Sequence, residues 1–308
     1  MVELCRASLG WQPDDPSEAF FSWKHDANPF GASPAWVAED AQGALAGVRV
    51  FMRWRFLGAD GVRRAVRAVD TATRPDMQGR GIFTRLTTAA LPELADEGCD
   101  LVFNTPNDQS RPGYLKMGWQ VVGRVPVAVR PRSLTSLPRI SGARAAARKW
   151  SEPTDVGLDA ATAFADHDEV VRLLAVCPTP TGLGTDRSPE YLRWRYSFDA
   201  LHYRVVPLGD RLADGVVVFR LRRRGTAAEL AICEVLTPRR GAERRAIGWV
   251  LRRTGADYAL RCDDGAPWRA AFVPVPKLGP ILTWRPLREG GVPRLADLSL
   301  VLGDVELF

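Results

Sequence analysis

The sequence predicts an α+β chain built from two similar halves, and three observations carry that prediction. Its 308 residues exceed what one compact core usually holds. Between Thr71 and Thr84 it reads Thr-Ala-Thr-Arg-Pro-Asp-Met-Gln-Gly-Arg-Gly-Ile-Phe-Thr, a strand running through a glycine loop into a helix. The order of helix, strand and turn signals in the first half returns in the second.

Taken in order, Ser17 to Lys24 is an expected helix, with an N-cap serine six residues before a tryptophan followed by a base. Ser188 to Arg195 repeats that spacing. Strands follow at 44–56 and 62–73, matched by 215–221 and 227–236. Pro75 and Pro238 each precede a helix. Strands are then expected at 100–103 and 256–260. Lys116-Met117-Gly118 parallels Lys277-Leu278-Gly279. Val121 to Val129 and Ile281 to Trp284 read as the closing strand of each half. The predicted division is a first domain at 1–130, a basic linker at 131–155 and a second domain at 156–308.

Composition narrows the function. No apolar run approaches the roughly 20 residues of a membrane helix, and the N-terminus lacks the apolar core of a secretory leader. No membrane partner and a cytoplasmic location are therefore expected. Cys5, Cys99, Cys177, Cys233 and Cys262 are scattered, and His25, His167 and His202 stand far apart. Neither a disulfide framework nor a metal site is suggested. The formal charge is +6, and six bases with no acid lie between Arg130 and Trp150 (Arg130, Arg132, Arg139, Arg144, Arg148 and Lys149). With Pro131, Pro138 and Gly142 among them, that stretch reads as a solvated connector and not as a nucleic-acid face.

The glycine loop is suited to an anion such as a pyrophosphate. Gly79 and Gly81 leave the main chain open, the following helix offers free N–H groups and its positive end, and Arg74 and Arg80 add charge. A dinucleotide fingerprint needs a third glycine where Thr84 stands, and a Walker loop needs Gly-Lys-Ser/Thr. In the second half, Glu243 and Arg244 fall at the places of Arg80 and Gly81, so that copy is expected to be degenerate, a scaffold or a substrate wall.

Strand, Gln78-Gly79-Arg80-Gly81, helix, strand, Asn107, then Tyr114-Leu115-Lys116-Met117-Gly118-Trp119 resembles the GNAT superfamily of acyl-CoA-dependent N-acetyltransferases. Gln78, Gly81, Asn107, Tyr114, Lys116, Gly118 and Trp119 match its signature, and Phe83 departs from the usual Gly/Ala. The match is strong over about residues 35–130. It implies a mixed, mostly antiparallel sheet with a V-shaped splay and helices on both faces, followed by a second GNAT-like domain. It also implies acetyl-CoA as co-substrate, no metal, and direct attack by a small-molecule primary amine in a ternary complex. Thr71 and Thr73 would hold the pantetheine arm by their main chain. Gln78, Gly79, Arg80, Gly81, Ile82, Phe83 and Thr84 would hold the diphosphate, and Asn107 would contact the coenzyme or cap a turn.

Two catalytic roles are expected. Tyr114 is the candidate general acid for the departing sulfur. Asp70 is the candidate base. Alternation along its strand places it with Val66, Ala68 and Ala72, surroundings that would raise its pKa. Trp11, Phe20, Phe21, Trp23, His25, Phe30 and Trp36 would contribute core and one acceptor wall. The tail from Leu300 to Phe308 reads as a last strand, with Asp304 or Glu306 as a candidate reader of a cationic amine. The alternatives are an inactive acyl-CoA-binding regulatory module and an aminoacyl-tRNA-dependent peptidyl-type transferase. A homo-oligomer stays open.

Overall fold

The computed structural model describes every residue except Arg144, Asp264, Leu307 and Phe308, and all side chains of the rest but that of Leu9. In chain order the first elements are α1 (Val2–Leu9), α2 (Ser17–His25), β1 (Ala35–Glu39), β2 (Leu45–Gly58), β3 (Gly61–Thr73), α3 (Ile82–Asp96), β4 (Leu101–Asn104), α4 (Arg111–Lys116), β5 (Gln120–Arg124) and β6 (Val127–Pro131). There follow α5 (Leu137–Gly142), β7 (Leu158–Asp159), α6 (Ala160–Ala163), α7 (His167–Val176), β8 (Gly184–Thr185), α8 (Pro189–Arg195), β9 (Arg204–Pro207), β10 (Val216–Arg224) and β11 (Ala227–Leu236). The last are α9 (Glu243–Thr254), β12 (Tyr258–Cys262), β13 (Val273–Pro274), β14 (Ile281–Pro286) and α10 (Leu302–Val305).

The chain forms two compact units, and neither is continuous. The first holds Met1–Gly123, Gly182–Asp186 and Pro280–Leu298; the second holds Arg124–Thr181, Arg187–Gly279 and Ser299–Phe308. The first unit's sheet runs β1-β2-β3-β4-β14-β5, with β8 added on β2, and the second's runs β13-β6-β12-β11-β10-β9-β7. Each contains an antiparallel hairpin (β2 with β3, β10 with β11), a parallel neighbour (β4, β12) and an antiparallel strand beyond it (β14, β6).

That last strand corrects the sequence reading. Val127–Pro131 pairs with β12 and Ile281–Pro286 pairs with β4, so the closing strands are exchanged between the units. The cuts at 130 and 155 therefore do not follow the packing. The stretch expected to be a solvated linker is part of the second unit. Arg130 Nη1 donates to the carbonyls of Arg244 (2.8 Å) and Ala270 (3.2 Å), and Arg139 pairs with Asp257 at 3.1 Å. Of the six bases, Arg144 lies outside the described residues.

Apolar alternation explains the first core. Val66 and Ala68 of β3 pack with Ala90, Leu91 and Leu94 of α3 on one face. On the other, Val48, Val50 and Ala72 meet Leu4, Cys5 and Phe21 of α1 and α2. Helix α2 begins with Ser17 itself, whose hydroxyl donates to Asp15 O (3.3 Å), so Ser17 is not the N-cap. Ser188 does cap α8, accepting from Tyr191 N–H at 3.2 Å. In the second unit, β10 and β11 pack Val217, Phe219 and Ile232 against Ile247, Val250 and Leu251 of α9.

The tail is a short helix, not a strand. Asp304 and Glu306 are buried and committed inside the second unit. Asp304 faces Arg187 at 3.3 Å, and Glu306 accepts from Arg220 (2.7 Å), Arg222 (3.1 Å) and the Tyr203 hydroxyl (3.0 Å). Burial opposes ionisation of Glu306, but these arginines hold its carboxyl down at about 2. The expected amine-reading role does not survive this placement. Leu307 and Phe308, expected to end that strand, lie outside the described residues.

Candidate functional site

The parallel ladder between β3 and β4 is only three residues long, Ala65–Arg67 against Leu101–Phe103. Beyond it the strands part, and Thr71 and Thr73 stand at the opening. Together with Ser8, Ala72, Met77, Gln78, Gly79, Gly81, Ile82, Phe83 and Thr84 they line a cleft of about 430 Å³.

The glycine loop forms one end of this cleft. Gly79 and Gly81 take φ of 74° and 73°, which side-chain-bearing residues rarely adopt. A Cβ at either would meet nothing within 4 Å, so backbone conformation and not crowding selects glycine, and the space above the loop is open. The first α3 hydrogen bond runs from Arg85 N–H to Gly81 O at 3.0 Å. The N–H groups of Ile82, Phe83 and Thr84 thus have no intrahelical partner, and no side chain caps the helix. Open main-chain donors at the positive end of a helix fit a diphosphate.

The expected charges behave differently. Arg74 is held by Asp40 (2.8 Å) and Asp76 (2.7 Å) and is not spare, whereas exposed Arg80 has no ion pair among the described residues. Ser8 Oγ donates to Thr73 O at 3.1 Å, occupying one main-chain acceptor expected for the pantetheine arm. Asn107 Oδ1 accepts from Ser110 N–H and Oγ, each at 2.9 Å, so its oxygen caps the turn into α4.

Tyr114 is buried, with 4 % of its surface exposed. Its ring stands edge-on to Phe83 (5.4 Å) and packs on Trp119 (5.2 Å). Tyr114 does not border the cleft directly; Phe83 connects them. Phe83 also explains its own departure from the family pattern. Its ring would lie 3.1 Å from a Cβ at Gly113, so the glycine in α4 makes room for the aromatic in α3.

Sequence reading missed Arg49. It is buried on β2, donates to Thr71 Oγ1, and lies 5.3 Å from the Tyr114 ring centre and 5.6 Å from that of Phe83. Its Nε and Nη2 have no hydrogen-bond partner among the described residues. Nothing in the local pattern of a strand distinguishes such an arginine.

The environment expected for Asp70 is corrected. β3 carries a bulge, because Val50 pairs with Val69 and Arg49 with Thr71, leaving Asp70 as the extra residue at φ 40°. The bulge turns its side chain away from Val66 and Ala68 to α2. There the carboxylate meets Lys24 Nζ and, at 2.7 Å, His25 Nε2, all three groups being buried. Burial alone would raise its pKa. The Lys24 ammonium and the His25 hydrogen bond outweigh burial and hold Asp70 well below the usual carboxylate range. Such a carboxylate is a poor proton acceptor at neutral pH. His25 also bonds Ser33 Oγ through Nδ1 at 2.9 Å, and burial lowers its pKa below the ordinary histidine value.

The second unit repeats this bulge. Val218 pairs with Glu234 and Phe219 with Ile232, leaving Cys233 extra. Glu234 beside it accepts from the hydroxyl of Tyr196 at 3.4 Å. The extra residue is thus an acid in the first unit and a buried thiol in the second, and Glu234 is paired with Arg187 at 2.8 Å. Helix α9 of the same unit starts with Glu243, buried and accepting from Arg261 at 3.0 Å. An internal carboxylate stands at the first residue of this helix, where α3 has Ile82, and Ala242, not the expected Arg244, holds the place of Gly81.

Two consequences can be measured. Lys24→Met leaves the buried Asp70 charge without its cation and should cost about 3–5 kcal/mol, read from the urea midpoint. The folded pKa of Asp70 lies below the unfolded value of about 3.9. Its contribution is therefore complete above that pH and is lost as pH falls towards the folded pKa. Asp70→Asn should lower stability at pH 7 and flatten the fall in urea midpoint below about pH 4.

Residues 1–122 match the model of the acetyltransferase (GNAT) domain. No curated protein matches the sequence. A probable N-acyltransferase from Enterococcus faecalis V583 is 13 % identical with a TM-score of 0.64, over 93 % of this chain and 69 % of that one. A GCN5-related N-acetyltransferase from Anabaena variabilis is 12 % identical with a TM-score of 0.61, over 93 % and 69 %. Eis1 from Mycobacterium abscessus is 17 % identical with a TM-score of 0.57, over 92 % and 70 %. At these identities the likeness is one of fold. Among the described residues no helix is long and apolar enough to cross a membrane, and no cluster of three His, Cys, Asp or Glu could hold a metal.

Proposed function

We propose that the chain transfers an acetyl group from acetyl-CoA to the primary amine of a small molecule by direct attack in a ternary complex. The observation that carries this reading is the open cradle of amides from Gly79 to Thr84, leading through Phe83 to Tyr114. The coenzyme supplies an activated thioester. The loop amides and Arg80 hold its diphosphate, and the main chain at Thr71 guides its arm along the splay. Tyr114 gives the leaving sulfur a proton, and the Arg49 charge 5.3 Å from its ring offsets the negative charge left behind. None of the five cysteines lies in the cleft lining, in keeping with transfer that forms no acyl-enzyme. The second unit acts as scaffold, its helix start already filled by Glu243.

The test is a thiol-release assay with acetyl-CoA over amino sugars, polyamines, aminoglycosides and amino acids, run beside a thermal melt with coenzyme A. Coenzyme should raise the melting temperature, and at least one amine should release thiol. Stabilisation without thiol release across the panel would instead make the chain an acyl-CoA-binding regulator, and absence of both would overturn the reading.

A further inference from the structure

The second unit carries a surface that the transfer reaction does not use. Between Thr237 and Gly255 stand six arginines (Arg239, Arg240, Arg244, Arg245, Arg252 and Arg253) and one carboxylate, Glu243. Glu243 is buried and paired with Arg261. All six arginines are exposed, and none has an ion pair among the described residues.

Packing gathers this charge instead of spreading it. Arg244, Gly248 and Arg252 are four residues apart and form one ridge of α9. Glycine weakens a helix interior, and here a further arginine explains it. A Cβ at Gly248 would lie 2.6 Å from Arg130 Nη2, with Arg252 Nη1 at 3.6 Å. Arg130 comes from β6 and is held by the main-chain carbonyls of Arg244 and Ala270, not by an acid. Burial and the charges of Arg244 and Arg252 lower its pKa, so the helix gives up a side chain to seat one guanidinium between two others that repel it. Such a cluster fits an anion from outside the chain.

Two indoles lie among these charges. Trp249 is 43 % exposed and stands four residues after Arg245 and three before Arg252, so all three share the outer face of α9. Trp268 is 66 % exposed in the turn Pro267–Ala270, whose last carbonyl holds Arg130. Arg269 lies against the loop before α9, 3.5 Å from a Cβ at Gly241. Ile247, Val250 and Leu251 of α9 are packed into the core, so the exposed face has no aliphatic stripe to enter a lipid layer. Arginines spaced along a ridge suit a backbone of phosphates, and flat exposed rings suit unpaired bases. The linear order hides this face, because Arg130 reaches α9 only through the pairing of β6 with β12.

Independently of the acyltransferase reading, we propose that the outer face of α9 and the adjoining Pro267–Ala270 turn bind single-stranded nucleic acid, with Arg130, Arg244 and Arg252 on the phosphates and Trp249 and Trp268 against the bases.

The experiment is fluorescence anisotropy of labelled oligo(dT) and oligo(U) with the full chain across a salt series. Inorganic polyphosphate serves as competitor, and sedimentation with phosphatidylserine vesicles runs beside it. Affinity should fall with salt along a logarithmic slope of about −2, the value for three phosphates of a single strand. Arg252→Glu should weaken binding at least about tenfold and flatten the slope. Trp249→Ala should weaken it at least about fivefold and leave the slope unchanged. Arg172→Glu, the same charge change on exposed α7 of this unit, should stay near wild type. Melting temperatures should not fall in the α9 variants, whose exposed side chains have no ion pair to lose. Polyphosphate, which has no rings, should compete at least about tenfold less well than unlabelled oligonucleotide. Equal losses in Arg172→Glu and Arg252→Glu, an unchanged Trp249→Ala, or equal competition by polyphosphate would reduce the face to a general polyanion patch and overturn the proposal. Absence of oligonucleotide binding would overturn it too, and attachment to the vesicles would then make the face a lipid-binding one. None of these results bears on coenzyme binding by the first unit.

Discussion

Tyr114→Phe should lower kcat by about 100- to 10,000-fold while leaving coenzyme A affinity within a factor of two or three. The substitution removes one oxygen and keeps the ring. That ring is what the structure uses for packing, edge-on to Phe83 and against Trp119, so the fold and the shape of the cleft should persist. Loss of the proton donor appears only where the sulfur departs, in kcat, and not in binding. Stopped thiol release with calorimetric binding of coenzyme A separates the two. A variant with unchanged kcat would reduce Tyr114 to a core aromatic.

Gly81→Asp should raise the dissociation constant for coenzyme A at least about 100-fold and abolish turnover at ordinary coenzyme concentrations. Aspartate tolerates positive φ better than most residues, and nothing stands within 4 Å of the new Cβ, so the chain can accept it. The new carboxylate would repel a bound diphosphate and compete for the same helix end. Glu243 at the start of α9 already illustrates such a carboxylate. Gly81→Asn has nearly the same shape without the charge and should fall between the two. Equal affinities for the aspartate and asparagine variants would mean that the loop does not face the diphosphate.

The parts legible in the sequence were those fixed by local chemistry. Gly79 and Gly81 announce positive φ, and the strand before and helix after them followed from apolar spacing. Ala227–Leu236 was bounded to the residue. Non-local features were hidden. Val127–Pro131 follows β5 after two residues and looks like its continuation, yet it pairs in the other sheet, because strand pairing is not written in the strand. Asp70 was placed on the wrong face because alternation holds only without a bulge, and a bulge leaves no mark when its extra residue is not glycine. Arg49 and Arg130 gain meaning only from partners across the fold. Their recognition needed the tertiary structure.

In the proposed complex the coenzyme's diphosphate lies against the amides of Gly79 to Thr84. The direct measurement is calorimetric titration with acetyl-CoA and with S-acetylpantetheine, which has the same thioester arm but no diphosphate. Acetyl-CoA should fill one saturable site, and the truncated thioester should bind at least about tenfold more weakly. Equal affinities, or no heat from acetyl-CoA at all, would contradict that placement.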